Sequence, residues 1–411
     1  MKSFAELGLP EFLSHTLNHL KFNTPTQIQS TSIPLAMEGK DILGSAQTGT
    51  GKTAAFAIPL IVNLHNKPNS TALVMTPTRE LASQVMGQFS SLLGKKTRTR
   101  SALLIGGDSM FKQLNQLKNK PRLIVGTPGR INDHLKRGSL KLDSLDFLVL
   151  DETDRMLDMG FSVQINEILK YAPAKRQTLL FSATLPPNII KLSKQYMSDP
   201  VRVEADKLSE VPLNIKQQVI YTGTDKKYDY LKSQIDKRSG SIIVFAKTKL
   251  NTENLVKKLS KDGFDAFSIN GDLRQNVRAR VINNFRKMKF RILVATDVAS
   301  RGIDVPHIEH VINYNIPENP DDYIHRIGRT ARAGANGAAV IFITPSERQK
   351  WNRIKSFLKL DIEEVGIKEE TEETNKKSRK GFTNKKNKIR FFSKQNKKRP
   401  KKRNGKKSKN K

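Results

Sequence analysis

The feature that most restricts this chain is a recurring series of short, almost wholly apolar runs: AlaLeuValMet at 72–75, LeuLeuIle at 103–105, LeuIleVal at 123–125, PheLeuValLeu at 147–150 and ThrLeuLeuPhe at 178–181. Longer amphipathic stretches separate them. A strand that is apolar at every position must be covered on both faces, which is the situation of a parallel sheet wrapped by helices. After Pro212 the series restarts with ValIleTyr at 219–221, IleIleValPhe at 242–245, IleLeuValAla at 292–295, ValIleAsn at 311–313 and ValIlePheIle at 340–343. The expected fold is therefore α/β, with two tandem doubly wound parallel-sheet domains. The expected bounds are 1–205 and 215–362, joined by a linker at 206–214 whose mixed charge and proline suit a hinge. No repeat is visible between the halves at the level of residue identity.

Charge separates the last segment, 363–411, from the rest. Residues 375–411 hold nineteen Lys or Arg and no acid, out of a formal net charge of +34 for the whole chain. This stretch is rich in Lys and Asn and has no helical or strand periodicity, so it cannot bury enough apolar surface to fold and is expected to be disordered. The mostly acidic Asp361–Glu373 precedes it, and pairing between the two is a side possibility. The basic excess points to a polyanionic partner. The absence of cysteine excludes disulfides and cysteine-ligated metals. The start lacks a basic segment followed by an apolar one. The longest apolar run, near 54–62, is far short of the roughly 20 residues that a membrane span needs. A soluble, cytoplasmic chain without membrane contact is expected.

Chemistry enters at Ala46-Gln47-Thr48-Gly49-Thr50-Gly51-Lys52-Thr53, between the strand-like 41–43 and a helical run. A glycine-rich turn there directs backbone N–H groups at phosphates, Lys52 adds a cation, and the Thr53 hydroxyl can hold Mg²⁺. Ala46 replaces the usual first glycine. The run ending at Leu150 delivers Asp151-Glu152-Thr153-Asp154 to the carboxyl end of a central strand. Asp151 suits Mg²⁺, and Glu152 suits orienting and deprotonating water for attack on a γ-phosphoryl group.

With these two elements in order, the chain resembles the DEAD-box RNA helicases, whose domains are RecA-like. The resemblance makes Phe22 to Gln29 the adenine-reading segment, with Gln29 reading the base through its amide and Phe22 stacking on it. It assigns Pro77, Thr78, Arg79, Gly107, Thr127, Gly129 and Arg130 to the RNA backbone, which glycines, hydroxyls and guanidinium groups grip without reading sequence. Arg79 has a second reading, pairing with an acid to buttress those loops. Ser182 and Thr184 are implied to couple the acidic site to the RNA face through their hydroxyls.

In the second half, Gln275, Arg278 and Thr296 are implied RNA contacts. Gly302 and Asp304 are implied at the nucleotide, with Asp304 accepting from a ribose hydroxyl. His325 belongs to the catalytic set, with Arg329 and Arg332 as arginine fingers that share one face if that segment is helical. Ala331 stands where glycine is more usual, and Thr153 where the family has alanine. The resemblance thus implies an RNA-stimulated ATPase that uses ATP and Mg²⁺, closes two domains on RNA and separates short duplexes. Ribosomal RNA or precursor ribosomes are the expected substrates. A non-catalytic ATP-driven RNA clamp and a DNA translocase are the two alternatives.

Overall fold

The computed structural model describes residues 3–46, 50–94, 97, 99–204, 214–300, 305, 307–331, 335–360 and 362–365. Gln47, Thr48, Gly49, Gly302, Asp304, Arg332, most of the expected linker and the Lys-rich tail lie outside them.

Alternation of side chains along a strand sends neighbours to opposite faces, and here both faces are buried. In the strand Thr71–Met75, Ala72 and Val74 join one apolar cluster while Leu73 and Met75 join another. Phe147 and Val149 against Leu148 and Leu150 repeat this in Leu145–Leu150. Such strands require helices on both sides, and the helices between them are supplied by the amphipathic stretches.

The first sheet has β1 Ile42–Ser45, β2 Thr71–Met75, β3 Ser101–Leu104, β4 Leu123–Gly126, β5 Leu145–Leu150, β6 Gln177–Ser182 and β7 Val201–Glu204. Its order is β3-β4-β2-β5-β6-β1-β7. The second has β8 Ile215–Tyr221, β9 Ser241–Phe245, β10 Ala266–Ile269, β11 Ile292–Ala295, β12 Ile308–Asn313, β13 Gly337–Ile343 and β14 Glu363–Val365, in the order β10-β11-β9-β12-β13-β8-β14. Every strand pairing is parallel. Adding seven to each strand number turns the first order into the second, so the halves repeat in topology although not in residue identity.

That repeat corrects one boundary. The tail was expected to begin at 363, yet Glu363–Val365 pairs in parallel with Gln218–Ile220 of β8. It occupies the edge position that β7 holds in the first sheet. Residues Met1–Val365 form one compact unit. No helix among the described residues is long and apolar enough to cross a membrane.

Candidate active site and nucleic-acid groove

A parallel sheet collects the turns that follow its strands at one end, and in the first lobe the described residues of the expected site fall there, apart from Phe22 and Gln29 before β1. After β1 the backbone N–H of Ala46 donates to the Ser182 carbonyl at 3.1 Å, holding the start of the phosphate loop against β6. Gly51 has φ +90° and caps the helix Lys52–Asn66. Its φ favours glycine, and a Cβ here would displace the Gln29 amide from the turn. Gln29 reaches the same turn: its Nε2 donates to the Gly51 carbonyl at 3.0 Å, and its Oε1 accepts from Thr26 N–H at 3.0 Å. One N–H and one lone pair of this amide remain for a base edge. Phe22 is half-buried and meets Phe4 edge-on, with centroids 6.0 Å apart. Thr50 and Thr53 are also half-buried.

Lys52 is only 6% exposed, and its Nζ has no hydrogen-bond partner. A buried ammonium without an acceptor is costly, so the site is built for an anion to complete. Asp151, buried nearby, has its carboxyl pushed up to about 6 by desolvation, against the pull of Lys52 and reinforced by Glu152. A cation would remove that penalty, and a magnesium ion needs only one or two protein oxygens besides phosphate and water. The donor set Thr53 and Asp151 fits it.

Glu152 adopts the left-handed region, φ 51° and ψ 51°, at the start of the helix Thr153–Asp158. Its Oε2 is 3.5 Å from Arg155 Nε. The Thr153 hydroxyl donates to the Leu150 carbonyl at 3.2 Å, which accommodates a polar side chain where none is exposed. Coupling to Ser182-Ala183-Thr184 runs through a residue to which the sequence reading gave no role. Asp154 Oδ2 accepts from the N–H groups of Ala183 and Thr184, at 3.1 and 3.2 Å. The Ser182 hydroxyl, expected to make this link, is buried with no hydrogen-bond partner. Two backbone donors converging on one carboxylate form the firmer bridge.

The other expected group lines a groove of about 360 Å³ that includes Pro77, Thr78, Arg79, Gly106, Thr127, Gly129 and Arg130. Two helices, Arg79–Leu93 and Pro128–Lys136, begin at its wall with Thr78 and Thr127 as caps, which places backbone N–H groups and positive helix ends there. Gly107 has φ +76°, and the Arg79 guanidinium packs where its Cβ would stand. Arg79 has its pKa lowered first by burial and then by Arg278. A buried relay of His134, Gln113 and the Ile105 carbonyl, with contacts of 3.2 and 3.0 Å, supports the strand end before Gly106. Neither side chain stood out in the sequence, because an isolated His or Gln in a helix carries no motif.

Arg278 also lines the groove, but its guanidinium is engaged elsewhere. Nε meets Glu80 Oε1 at 2.8 Å, Nη1 donates to the Asn270 carbonyl at 2.6 Å, and Nη2 to the Ala299 carbonyl at 3.3 Å. Gln275 Nε2 approaches the same Glu80 oxygen at 3.4 Å. The pair expected on RNA is thus turned to a buried carboxylate of the first lobe, because Glu80 is too deep for water to solvate. The two lobes are in contact through it.

In the second lobe Thr296 is half-buried just after β11, its N–H donating to the Ile269 carbonyl at 3.4 Å. The helix Pro320–Ile327 ends before Arg329, so the shared-face expectation for the two fingers does not apply. Arg329 is buried, and its Nε donates to the His325 carbonyl at 3.2 Å. Arg326, to which no role was given, grips Asp297 with two contacts at 2.6 and 2.7 Å. Ala331 has φ +56°, the conformation that makes glycine usual at such a position. Arg329, His325 and Asp322 share a cavity of about 10 Å³ with Arg155 of the first lobe. This is room for about one water, so the lobes meet closely.

Residues 26–192 match the DEAD/DEAH box helicase family, and 226–334 match the helicase conserved C-terminal domain. The chain is 43% identical to the ATP-dependent RNA helicase CshA of Limosilactobacillus reuteri over 360 residues, 87% of this chain and 72% of that one. It is also 43% identical to the DEAD-box ATP-dependent RNA helicase CshA of Geobacillus kaustophilus over 367 residues, 88% and 78% of the two chains. Among solved structures, S. cerevisiae Dbp5 bound to RNA and ADP BeF3 superposes with a TM-score of 0.81 at 30% identity, covering 92% of this chain and 99% of that one. A Dbp5 variant bound to Nup159, Gle1, IP6 and ADP superposes at 0.60, with 30% identity and coverage of 91% and 99%.

Proposed function

Because this chain belongs to the DEAD/DEAH box helicase family and is an ATP-dependent RNA helicase, we propose that its hydrolytic centre is completed only where the lobes meet. The observation that carries this reading is the buried Lys52 ammonium with no acceptor, beside the desolvated Asp151. Both have polar needs that a triphosphate and its cation would meet. In this reading the turn 46–53 cradles phosphate, Gln29 and Phe22 select adenine, and Glu152 takes the proton of the attacking water. Arg329 and His325 come from the second lobe, with Arg332, Gly302 and Asp304 assigned alongside them on the motif. A guanidinium there stabilises charge that develops on the transferring phosphoryl group. Mg²⁺, which Thr53 and Asp151 would hold, neutralises phosphate charge when bound.

RNA would lie along the groove of Pro77, Thr78, Arg79, Thr127, Gly129 and Arg130, with Gly107 next to its Gly106 wall and Thr296 on the second lobe. Contacts to phosphate and sugar give affinity without sequence preference. Gln275 and Arg278 act on RNA indirectly in this scheme, by joining the lobes through Glu80. Asp154, which bonds the backbone of Ala183 and Thr184, transmits movement between the acidic site and the end of β6. The cationic segment 375–411 supplies a loose second hold on RNA. We further propose that the enzyme works in the cytoplasm on ribosomal RNA or its precursors, for which the basic excess and the bacterial relatives are the support.

The test compares phosphate release and strand separation with RNA and DNA of the same sequence. Strong stimulation by RNA and ATP-dependent separation of a short RNA duplex are expected. Equal stimulation by DNA would overturn the assigned substrate preference, and closure on RNA without phosphate release would favour a clamp.

A further inference from the structure

Arg155 directly follows the acidic element and has no task in the proposed mechanism. It is 2% exposed, in the first turn of the helix that Glu152 caps. Its Nε is 3.5 Å from Glu152 Oε2, and its Nη2 is buried with no hydrogen-bond partner. Arg155 also lines the small cavity that it shares with Asp322, His325 and Arg329 of the other lobe.

A carboxylate on a left-handed residue has few rotamers that avoid its own backbone, so its direction depends on what it meets. Glu152 forms its ion pair with Arg155. A guanidinium presents its N–H donors in a fixed plane, and here Nε is the atom that pairs with the carboxylate while Nη2 is left without a partner. That N–H is buried, so it favours whichever assembled state gives it an acceptor.

We propose that Arg155 is a positioning residue for hydrolysis, orienting the Glu152 carboxylate toward the attacking water when the second lobe closes over it. This rests on the reading of Glu152 as the base. Arg155 itself touches neither water nor phosphate in the proposed step. Its removal would leave the phosphate turn and the RNA groove intact.

The test is a double-mutant cycle on the full-length protein, with RNA-stimulated phosphate release measured across ATP and RNA concentration. Arg155→Ala is expected to lower kcat by roughly 10²-fold, the scale of a misplaced catalytic group, with half-saturating ATP and RNA within about twofold. Arg155→Lys keeps the cation without the planar fork and should fall between Ala and wild type. Added to Glu152→Gln, Arg155→Ala should cause no further loss of the residual single-turnover rate that remains without the base, because it acts through the missing carboxylate. An unchanged kcat, a loss confined to half-saturation, or an additive double variant would overturn the proposal. Should Arg155→Ala not fold, as judged by melting, the same cycle with Arg155→Lys decides. Turnover surviving Glu152→Gln would instead overturn the base assignment itself.

Discussion

Glu80 and Arg278 lie 198 positions apart in the chain, yet their side chains meet at 2.8 Å with both buried. Glu80 belongs to the helix after β2, and Arg278 to the helix Gln275–Arg286 of the other lobe. Breaking such a pair from one side costs about 3–5 kcal/mol when the other charge stays buried, and opening the lobes relieves that cost by exposing it. Glu80→Ala should therefore favour the open form, raising the half-saturating RNA concentration while leaving ATP binding to the first lobe near normal. Distance measurements between labels on the two lobes, with RNA and a non-hydrolysable ATP analogue, would show the lost closure. Unchanged closure would mean that the pair contributes nothing to it.

Lys52→Ala and Glu152→Gln should both abolish hydrolysis but differ in binding. The first removes the cation from the phosphate turn and weakens nucleotide affinity. The second retains the turn and should trap a closed complex with ATP and RNA. Fluorescent nucleotide titration beside phosphate release separates them, and wild-type turnover in the Gln variant would sink the base assignment.

Arg329→Ala should bind ATP nearly normally and lose hydrolysis, since the guanidinium comes from the second lobe. Arginine fingers contribute about 10³–10⁵ in rate. A mere twofold decrease in single-turnover hydrolysis would assign Arg329 to structure.

Asp151 predicts a trade of stability for function. Its folded pKa is about 6 against an ordinary 3.8, so the folded state holds the proton more tightly. Ionising it in the folded protein costs about 3 kcal/mol. That cost is complete above pH 6, declines as pH falls, and is gone below about 3.8, where both states are protonated. Without nucleotide or divalent cation, Asp151→Asn should raise Tm at pH 7 and lose the advantage near pH 4, while hydrolysis is abolished. An equal Tm at pH 7 would contradict the burial argument.

Removal of residues 375–411 should raise the half-saturating RNA concentration at low salt and leave maximal turnover similar. Counterion release makes such binding fade with salt, so the truncated protein should show a shallower salt dependence. Superimposable titrations at low salt would exclude a role in RNA capture.

Residue patterning alone sets the sheet interiors and the chemistry of the turns. β2, β4, β5, β6, β9, β11, β12 and β13 each contain an apolar run, because central strands are covered on both faces and tolerate little else. β7, β10 and β14 went unread. They are edge strands with half-polar stretches such as ValArgValGlu, and only a neighbouring strand makes such a stretch a strand. The phosphate turn and the acidic element were legible for the same reason that motifs exist: a few atoms must meet one ligand from adjacent positions. Glu80 with Arg278, Asp154 with the backbone of Ala183 and Thr184, and Arg155 with the second lobe were not. Each joins residues distant in the chain, and a carboxylate or guanidinium gives no sign in sequence of which buried partner folding will bring to it. Folding sets those pairings, because only burial makes an unmatched charge costly enough to demand one.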